Sequence, residues 1–369
     1  MRLSRLAATG FRNLAAFDLS LGDASFVIWH GPNGQGKTNA LEAVYWLGTL
    51  KAWRGSRSRE LIRWGAEANR TEASLGSGDR VAVELTAGAR RIWRDERPVH
   101  GLDDYFDALR SIAFCPGDAE IVQGEPARRR TWIDRAAFTA APSHLAVVHA
   151  CRRILDQKSA LLRSAKPDPI LLDALDDQLA ATGSALVERR AAMLAELVGR
   201  VALAHQAIAG GSSEVELTLR TAATGEDRAS RAAALADRLA RSRTEELRRR
   251  AVLVGPQTDD VAISLDGRPA RGFASRGQVR SLVLALKLAE LGAARDRGDV
   301  PLFLLDDVSS ELDQLRTDRV VSALSDLSAQ VFATTTTASH LGALPRDRTL
   351  WISVSEGRQV PGVDPGSVR

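Results

Sequence analysis

Three short groups of residues in this chain have the types and spacing that phosphate chemistry requires. The first is Gly31-Pro32-Asn33-Gly34-Gln35-Gly36-Lys37-Thr38, followed by Asn39, which fits the pattern G-x-x-x-x-G-K-[ST]. Glycines let backbone N–H groups turn toward phosphate oxygens, and a helix starting near Lys37 adds the positive end of its dipole. Lys37 would then reach the β and γ phosphates of a nucleotide, and Thr38 would place its hydroxyl on Mg²⁺. The second group is Leu302-Phe303-Leu304-Leu305-Asp306-Asp307. An apolar strand ending in a carboxylate delivers Asp306 to a phosphate-bound metal, and Asp307 is placed to orient or deprotonate an attacking water. Alone this pattern is weak, because a buried strand ending in a solvated Asp-Asp turn reads the same way. The third group is Phe273-Ala274-Ser275-Arg276-Gly277-Gln278, just before an amphipathic helix, where Ser275 reads equally well as a helix N-cap.

The elements that must position these groups are legible in outline. Strand-like alternation opens the chain at 3–8 and recurs at 17–21, with further strands expected at 81–85 and 90–94. The apolar run Phe26-Val27-Ile28-Trp29 feeds directly into the glycine-rich loop, and Ala40 to Leu50 is apolar at helical spacing, so the loop lies between a strand and a helix. From about Gly124 to Arg250, alanine, leucine, arginine and glutamate dominate with helical periodicity, and Val215 to Leu219 is one strand-like interruption. Pro142, Pro167 and Pro169 punctuate this block, so its helices are expected to be short and broken, without a long coiled coil. Strands return from Val252, with a helix at 278–295, a central parallel strand at 301–305 and a last strand from Gln330 to Thr334. The expected division is therefore 1–123, 124–250 and 251–369, the two ends sharing one α/β character around a helical block.

Composition narrows the class without deciding it. Hydrophobic residues make up 44% and charged residues 26% of 369 residues, and the net charge is +4. Lysine occurs only at positions 37, 51, 158, 166 and 287, so arginine supplies the remaining positive charge. That bias fits either a GC-rich genome or phosphate recognition by guanidinium groups, and composition does not separate the two. Cys115 and Cys151 are the only cysteines, which excludes a disulfide framework and a cysteine zinc site and leads us to expect a cytoplasmic protein. The first twelve residues do not read as a signal peptide, and no uncharged apolar stretch approaches a membrane span, so no membrane partner is expected.

Taken together, the three groups are similar to the ATP site of ABC-type ATPases, with Ser275 to Gln278 as the signature segment and Ser309-Ser310-Glu311-Leu312-Asp313 as the D-loop. More specifically, the chain resembles the RecF family, bacterial recombination-repair ATPases related to the heads of structural-maintenance-of-chromosomes proteins. The resemblance runs through Gly10-Phe11-Arg12-Asn13-Leu14, Gly31 to Asn39 with Leu41-Glu42-Ala43, and Arg54 to Gly65. It continues through Phe114 to Asp118, Arg128 to Arg130 with Ile133-Asp134-Arg135, Ala274 to Glu290 and Leu304 to Asp313. It implies an α/β fold: an ABC/SMC-head-like ATPase lobe with a mainly helical second lobe inserted. It also assigns Gly31 to Asn39 to ATP, Thr38 and Asp306 to Mg²⁺, and catalysis to Lys37, Asp306 and Asp307. Arg12 falls near the nucleotide, and Ser275, Gly277 and Gln278 fall on the γ-phosphate held by a second protomer. The implied activity is slow ATP hydrolysis that requires an ATP-dependent homodimer. The implied partners are DNA at gaps or single-strand/double-strand junctions, with RecO and RecR, to promote RecA loading.

The chain departs from the family pattern in two places: Gln257-Thr258 replace a His-Arg pair, and Phe114 to Asp118 lacks a glutamate before its aspartate. Thr334 to Thr337 stand where ABC proteins carry a switch histidine, and His340 reads as a surface residue. Candidate DNA contacts are Arg54, Arg57 and Arg59, the run Arg128–Arg130, and Arg248–Arg250, each equally readable as a solvated arginine face. No interleaving of aromatic and basic residues suggests base stacking, so sequence-independent contact is expected. Of the competing readings, a transporter ATPase is disfavoured by the helical block. A full chromosome-structuring or nuclease-partner head would need far longer heptad arms, and a non-hydrolysing interaction protein does not need Lys37, Thr38 and Asp306 intact.

Overall fold

In the computed structural model the described residues are 1–53, 58–99, 101–211, 213–307, 313–341 and 343–362. Arg54, Arg57 and the D-loop residues Ser309 to Leu312 lie outside them. The chain forms two compact units. The first comprises Met1–Asp118, Leu203–Gly211 and Arg276–Arg369; the second comprises Ala119–Ala202 and Ser212–Ser275. The second unit runs on to Ser275 rather than Arg250 because strand Asp260–Leu265 pairs with Val215–Arg220 and with Arg268–Pro269, which holds that stretch to the helices.

The first unit contains two sheets. One has the spatial order Arg358–Pro361, Thr349–Ser355, Phe26–His30, Val331–Thr335, Leu302–Leu305, Ser111–Phe114, all parallel except the outer hairpin strand Arg358–Pro361. Both faces of the middle strands are covered: Phe26 to Trp29 and Leu302 to Leu305 are continuous apolar runs, and Val331 to Thr335, which ends in two threonines, is likewise buried throughout. Helix Lys37–Thr49 packs Ala40, Leu41, Val44 and Leu47 inward, and helix Arg276–Asp296 buries Leu282 to Leu291 almost without interruption. The other sheet is antiparallel, in the order Leu14–Ser20, Leu3–Phe11, Ala68–Leu75, Arg80–Thr86, Arg90–Arg94, Arg97–Pro98. Strand Ala68–Leu75 is absent from the sequence reading. Its inward positions are Asn69, Thr71, Ala73 and Leu75, so two of the four buried side chains are polar and the hydrophobic alternation disappears.

The second unit corrects the expectation of short, broken helices. Its helices are Pro126–Ala140, His144–Arg163, Pro169–Ala209 and Arg228–Arg249, and the third has 41 residues, the last of which group with the first unit. Gly183 does not break it. A Cβ there would meet Leu235 Cδ2 at 2.9 Å and Pro256 Cγ at 3.0 Å, so the glycine provides close packing instead of a stop. By length and composition this helix is apolar enough to cross a membrane, although Asp173, Asp176, Asp177, Glu188, Arg189 and Arg190 interrupt it so that no uncharged stretch of span length occurs. In the fold, Leu175, Leu179, Leu186 and Val187 from it join Cys151, Ile154, Leu235 and Leu239 in one buried cluster. Beside that cluster Lys158 is fully buried, with Nζ 2.5 Å from Asp176 Oδ1 and 2.7 Å from Glu246 Oε2. Arg243 also reaches Asp176 at 2.6 Å, and Glu246 accepts the Leu253 N–H at 2.8 Å.

Candidate nucleotide site

The glycine-rich loop is held open by its backbone. Gly31 has φ +141°, and a Cβ there would lie 2.7 Å from the Val354 carbonyl oxygen; Gly36 has φ +110° and lies against the Asn13 side chain. The loop is tied down at its far side by Gln35. Its side-chain oxygen accepts the Glu356 N–H at 2.7 Å and its carbonyl accepts the Gly357 N–H at 3.0 Å. Lys37 lies at the start of the helix and donates to the Gly31 and Pro32 carbonyls at 2.7 and 2.8 Å. Burial pushes its ammonium below the ordinary lysine range, and Asp307 and Asp306 partly offset this.

The two acidic residues meet the loop through a threonine from the intervening strand. The loop strand Phe26–His30 and the strand Leu302–Leu305 are not neighbours; Val331–Thr335 lies between them. Thr334, near its end, donates to Asp306 Oδ1 at 2.8 Å and accepts the Asp307 N–H at 2.8 Å. Thr38 donates to the same Asp306 oxygen at 2.9 Å. Asp307 has φ +51°, a left-handed conformation that turns the chain out of the strand at the acidic pair. These residues line a cleft of about 370 Å³ with Asn33, Gly34, Gly36, Lys37, Asn39 and Pro116. Thr38 Oγ1 and Asp306 Oδ1, 2.9 Å apart, make an oxygen-only donor pair that fits a hard divalent cation.

Thr334, expected only as one of the threonines at the switch-histidine position, bridges the two acidic residues. Thr334→Val should cost about 1–3 kcal/mol, since it keeps the volume and removes the hydroxyl that Asp306 and Asp307 both use. Urea denaturation of the full chain measures this.

The remaining expected residues do not line the cleft. Arg12 does not line it; with φ +52° it makes a two-pronged ion pair to buried Glu42 at 2.9 and 3.0 Å and donates to the Glu60 carbonyl at 3.0 Å. Its neighbour Asn13 accepts from Asn39 at 2.7 Å, so this turn is bonded to the helix that follows the loop. Ser275 directly precedes helix Arg276–Asp296, and Gly277 and Gln278 lie in its first turn; none of the three lines the cleft.

The candidate arginine runs divide sharply. Arg129 is buried and forks onto Asp260 at 2.6 and 3.0 Å, and Arg130 donates to the Asp259 carbonyl at 2.7 Å. Both therefore hold the strand of the second unit, and only Arg128 of that run is exposed. Arg248 and Arg249 are exposed and share Glu245, and Arg59 is exposed with its Nε on the Ala87 carbonyl. Near the Gln257-Thr258 departure, buried Arg190 joins Asp134 and Asp259, each at 2.8 Å, and also takes the Pro256 carbonyl at 2.8 Å.

Comparison with known proteins places this geometry in context. The family model of the RecF/RecN/SMC N-terminal domain matches residues 2–357. The DNA replication and repair protein RecF of Myxococcus xanthus is 39% identical over 368 residues, covering 97% of each chain. That of Geobacter sulfurreducens is 38% identical over 367 residues, covering 98% of this chain and all of its own. The solved structure of the recombination mediator protein RecF-ATPrS in the RecFOR pathway is similar at TM-score 0.87 and 25% identity, covering 98% of both chains. An SMC head bound to the C-winged helix domain of ScpA shares the fold at TM-score 0.57 and 14% identity, with 97% of this chain and 96% of the other covered.

Proposed function

The chain belongs to the RecF family of DNA replication and repair proteins, with its ABC-type ATPase fold, and on that premise we propose that it is an ATP-gated DNA-binding protein of recombinational repair. The observation behind this reading is that Lys37, Thr38, Asp306 and Asp307 converge on one cleft through Thr334, although they come from opposite ends of the chain. Backbone N–H groups of Gly34 to Thr38 and the Lys37 ammonium bind the phosphates of ATP, with Asn33 and Asn39 at the rim. Thr38 and Asp306 hold Mg²⁺, which when bound supplies neutralising charge at the phosphate oxygens. Asp307 orients the attacking water; it is one methylene shorter than a glutamate, so hydrolysis is slow and stimulated by DNA.

Ser275, Gly277 and Gln278 act in trans on the γ-phosphate of a second copy, so ATP closes a homodimer and hydrolysis reopens it. This agrees with their absence from the lining of their own chain's cleft. The closed dimer binds gapped or junction DNA through phosphate contacts and works with RecO and RecR to promote RecA loading in the cytoplasm. Two measurements test the reading. Sedimentation should show monomers becoming dimers with ATP·Mg²⁺, and a species that stays monomeric at saturating ATP·Mg²⁺ overturns the trans site. Gapped duplex should be retained with ATP but not with ADP or without nucleotide, and the affinity should fall steeply with salt.

A further inference from the structure

Trp64 is 99% exposed, the extreme among the large apolar side chains of the described residues. The other tryptophans behave as their size dictates: Trp29, Trp46, Trp132 and Trp351 are buried, and Trp53 and Trp93 are half-buried. The backbone beneath Trp64 is built with care. The Ala66 N–H donates to the Arg63 carbonyl at 2.9 Å and Gly65 has φ +81°, the signature of a type II turn with Trp64 at its first corner. That turn is fastened to the first strand of the chain. Ile62 bridges Phe11, the Arg63 N–H donates to the Gly10 carbonyl at 2.8 Å, the Arg12 N–H donates to the Leu61 carbonyl at 2.9 Å, and Leu61 is fully buried. Gly10, with φ +62°, lies so close to the Ala68 carbonyl that a Cβ would come within 2.5 Å of its oxygen. The indole therefore stands on a rigid mount, which lowers the ordering cost of any contact it makes.

Its surroundings identify the contact. Arg59 and Arg63 are exposed, and in sequence the segment 51–67 holds Lys51, Arg54, Arg57, Arg59 and Arg63 against Glu60 and Glu67, with Arg54 and Arg57 lying outside the described residues. An interface for a protein partner would surround the ring with further apolar groups. Here its immediate chain neighbours are Arg63 and Gly65, both exposed, while Ile62 and Ala66 beyond them are partly buried. A bare aromatic face among guanidinium groups matches a nucleobase and its phosphates. Bases inside a duplex are already stacked, so the ring can only receive an unpaired one.

We propose that Trp64 is a base-stacking residue that engages the single-stranded side of gapped DNA, with Arg59 and Arg63 on the adjoining phosphates. This rests on the DNA-binding reading above and adds to it a residue that distinguishes a gap from a blunt duplex. It departs from the expectation that no aromatic side chain takes part.

The test uses the full chain with ATP·Mg²⁺ and its Trp64→Ala and Trp64→Phe variants on three DNAs: a blunt duplex, a gapped duplex, and a gapped duplex with abasic positions next to the junction. Trp64→Ala should weaken gapped-duplex binding roughly 5- to 150-fold and change blunt-duplex binding by less than about twofold, with Trp64→Phe retaining most of the affinity. The abasic gap should weaken the unsubstituted protein by the same factor and show little further loss with Trp64→Ala. Equal losses on blunt and gapped DNA, or no loss, overturn the proposal while leaving DNA binding intact. A loss of ATP-dependent self-association with unchanged DNA binding overturns it in favour of an interface between copies. If the unsubstituted protein retains none of the three DNAs, the DNA-binding reading itself fails and this proposal falls with it.

Discussion

Lys37→Ala is expected to raise the dissociation constant for ATP on the order of 10²–10³-fold and to reduce gapped-DNA retention in ATP to the level without nucleotide. The ammonium is part-buried, held by the Gly31 and Pro32 carbonyls and faced by Asp307 and Asp306. It is thus placed where a polyphosphate must compete with two carboxylates, and no other lysine stands near enough in sequence to replace it. The fold should survive, because its two bonds are to loop carbonyls at the edge of the cleft and the core strands do not use it. Titration with a fluorescent ATP analogue, beside thermal melting of the same samples, separates the two effects. DNA retention that is unchanged by this substitution and indifferent to nucleotide would sink the switch.

The second large effect is on stability. Lys158→Met should destabilise the helical unit by about 3–5 kcal/mol, because it strands the fully buried Glu246 beside a methionine and leaves Asp176 with Arg243 alone. For a unit of that size this is a fall in melting temperature of roughly 6–20 °C. The ion cluster joins three helices at one point: Lys158 from His144–Arg163, Asp176 from Pro169–Ala209 and Glu246 from Arg228–Arg249. Adding Glu246→Gln to Lys158→Met should recover part of the loss, since it removes the stranded charge. Far-UV circular dichroism during urea denaturation provides the measurement. A cost below about 1 kcal/mol would mean that water reaches the lysine.

The chemistry at the cleft was legible because its residues are adjacent in sequence and their spacing is dictated by a loop of fixed length. Gly31 to Thr38 and Leu302 to Asp307 could be read without knowing the fold. Thr334 was placed only by resemblance, among the threonines at the switch-histidine position, and its part as the bridge between two distant motifs comes from the order of strands. Strand Ala68–Leu75 was hidden by buried Asn69 and Thr71. The 41-residue helix was hidden by the prolines, because Pro169 begins the helix instead of breaking it and Gly183 within it is accommodated by packing against Leu235 and Pro256. Charge was least legible of all. Arg128, Arg129 and Arg130 look alike in a row, yet helical geometry aims one at solvent and the next at Asp260. Trp64 carries no signal in sequence that separates it from the buried tryptophans, and only the fold shows its exposure.

The strand order also has a consequence for synthesis. Phe26 pairs with Val331 and Thr349, so the apolar strand that carries the nucleotide loop leaves the ribosome some 300 residues before its partners exist. At about 5–20 residues per second that is a wait of roughly 15–60 s. The helical unit, drawn almost entirely from one stretch between Ala119 and Ser275, is complete well before then. The order of birth is therefore fixed: helices first, and the ATP cleft only when the last strands arrive. A stalled or truncated chain would present an assembled helical unit beside an exposed, unpaired Phe26–His30 strand, which is the form most open to aggregation and most in need of a chaperone.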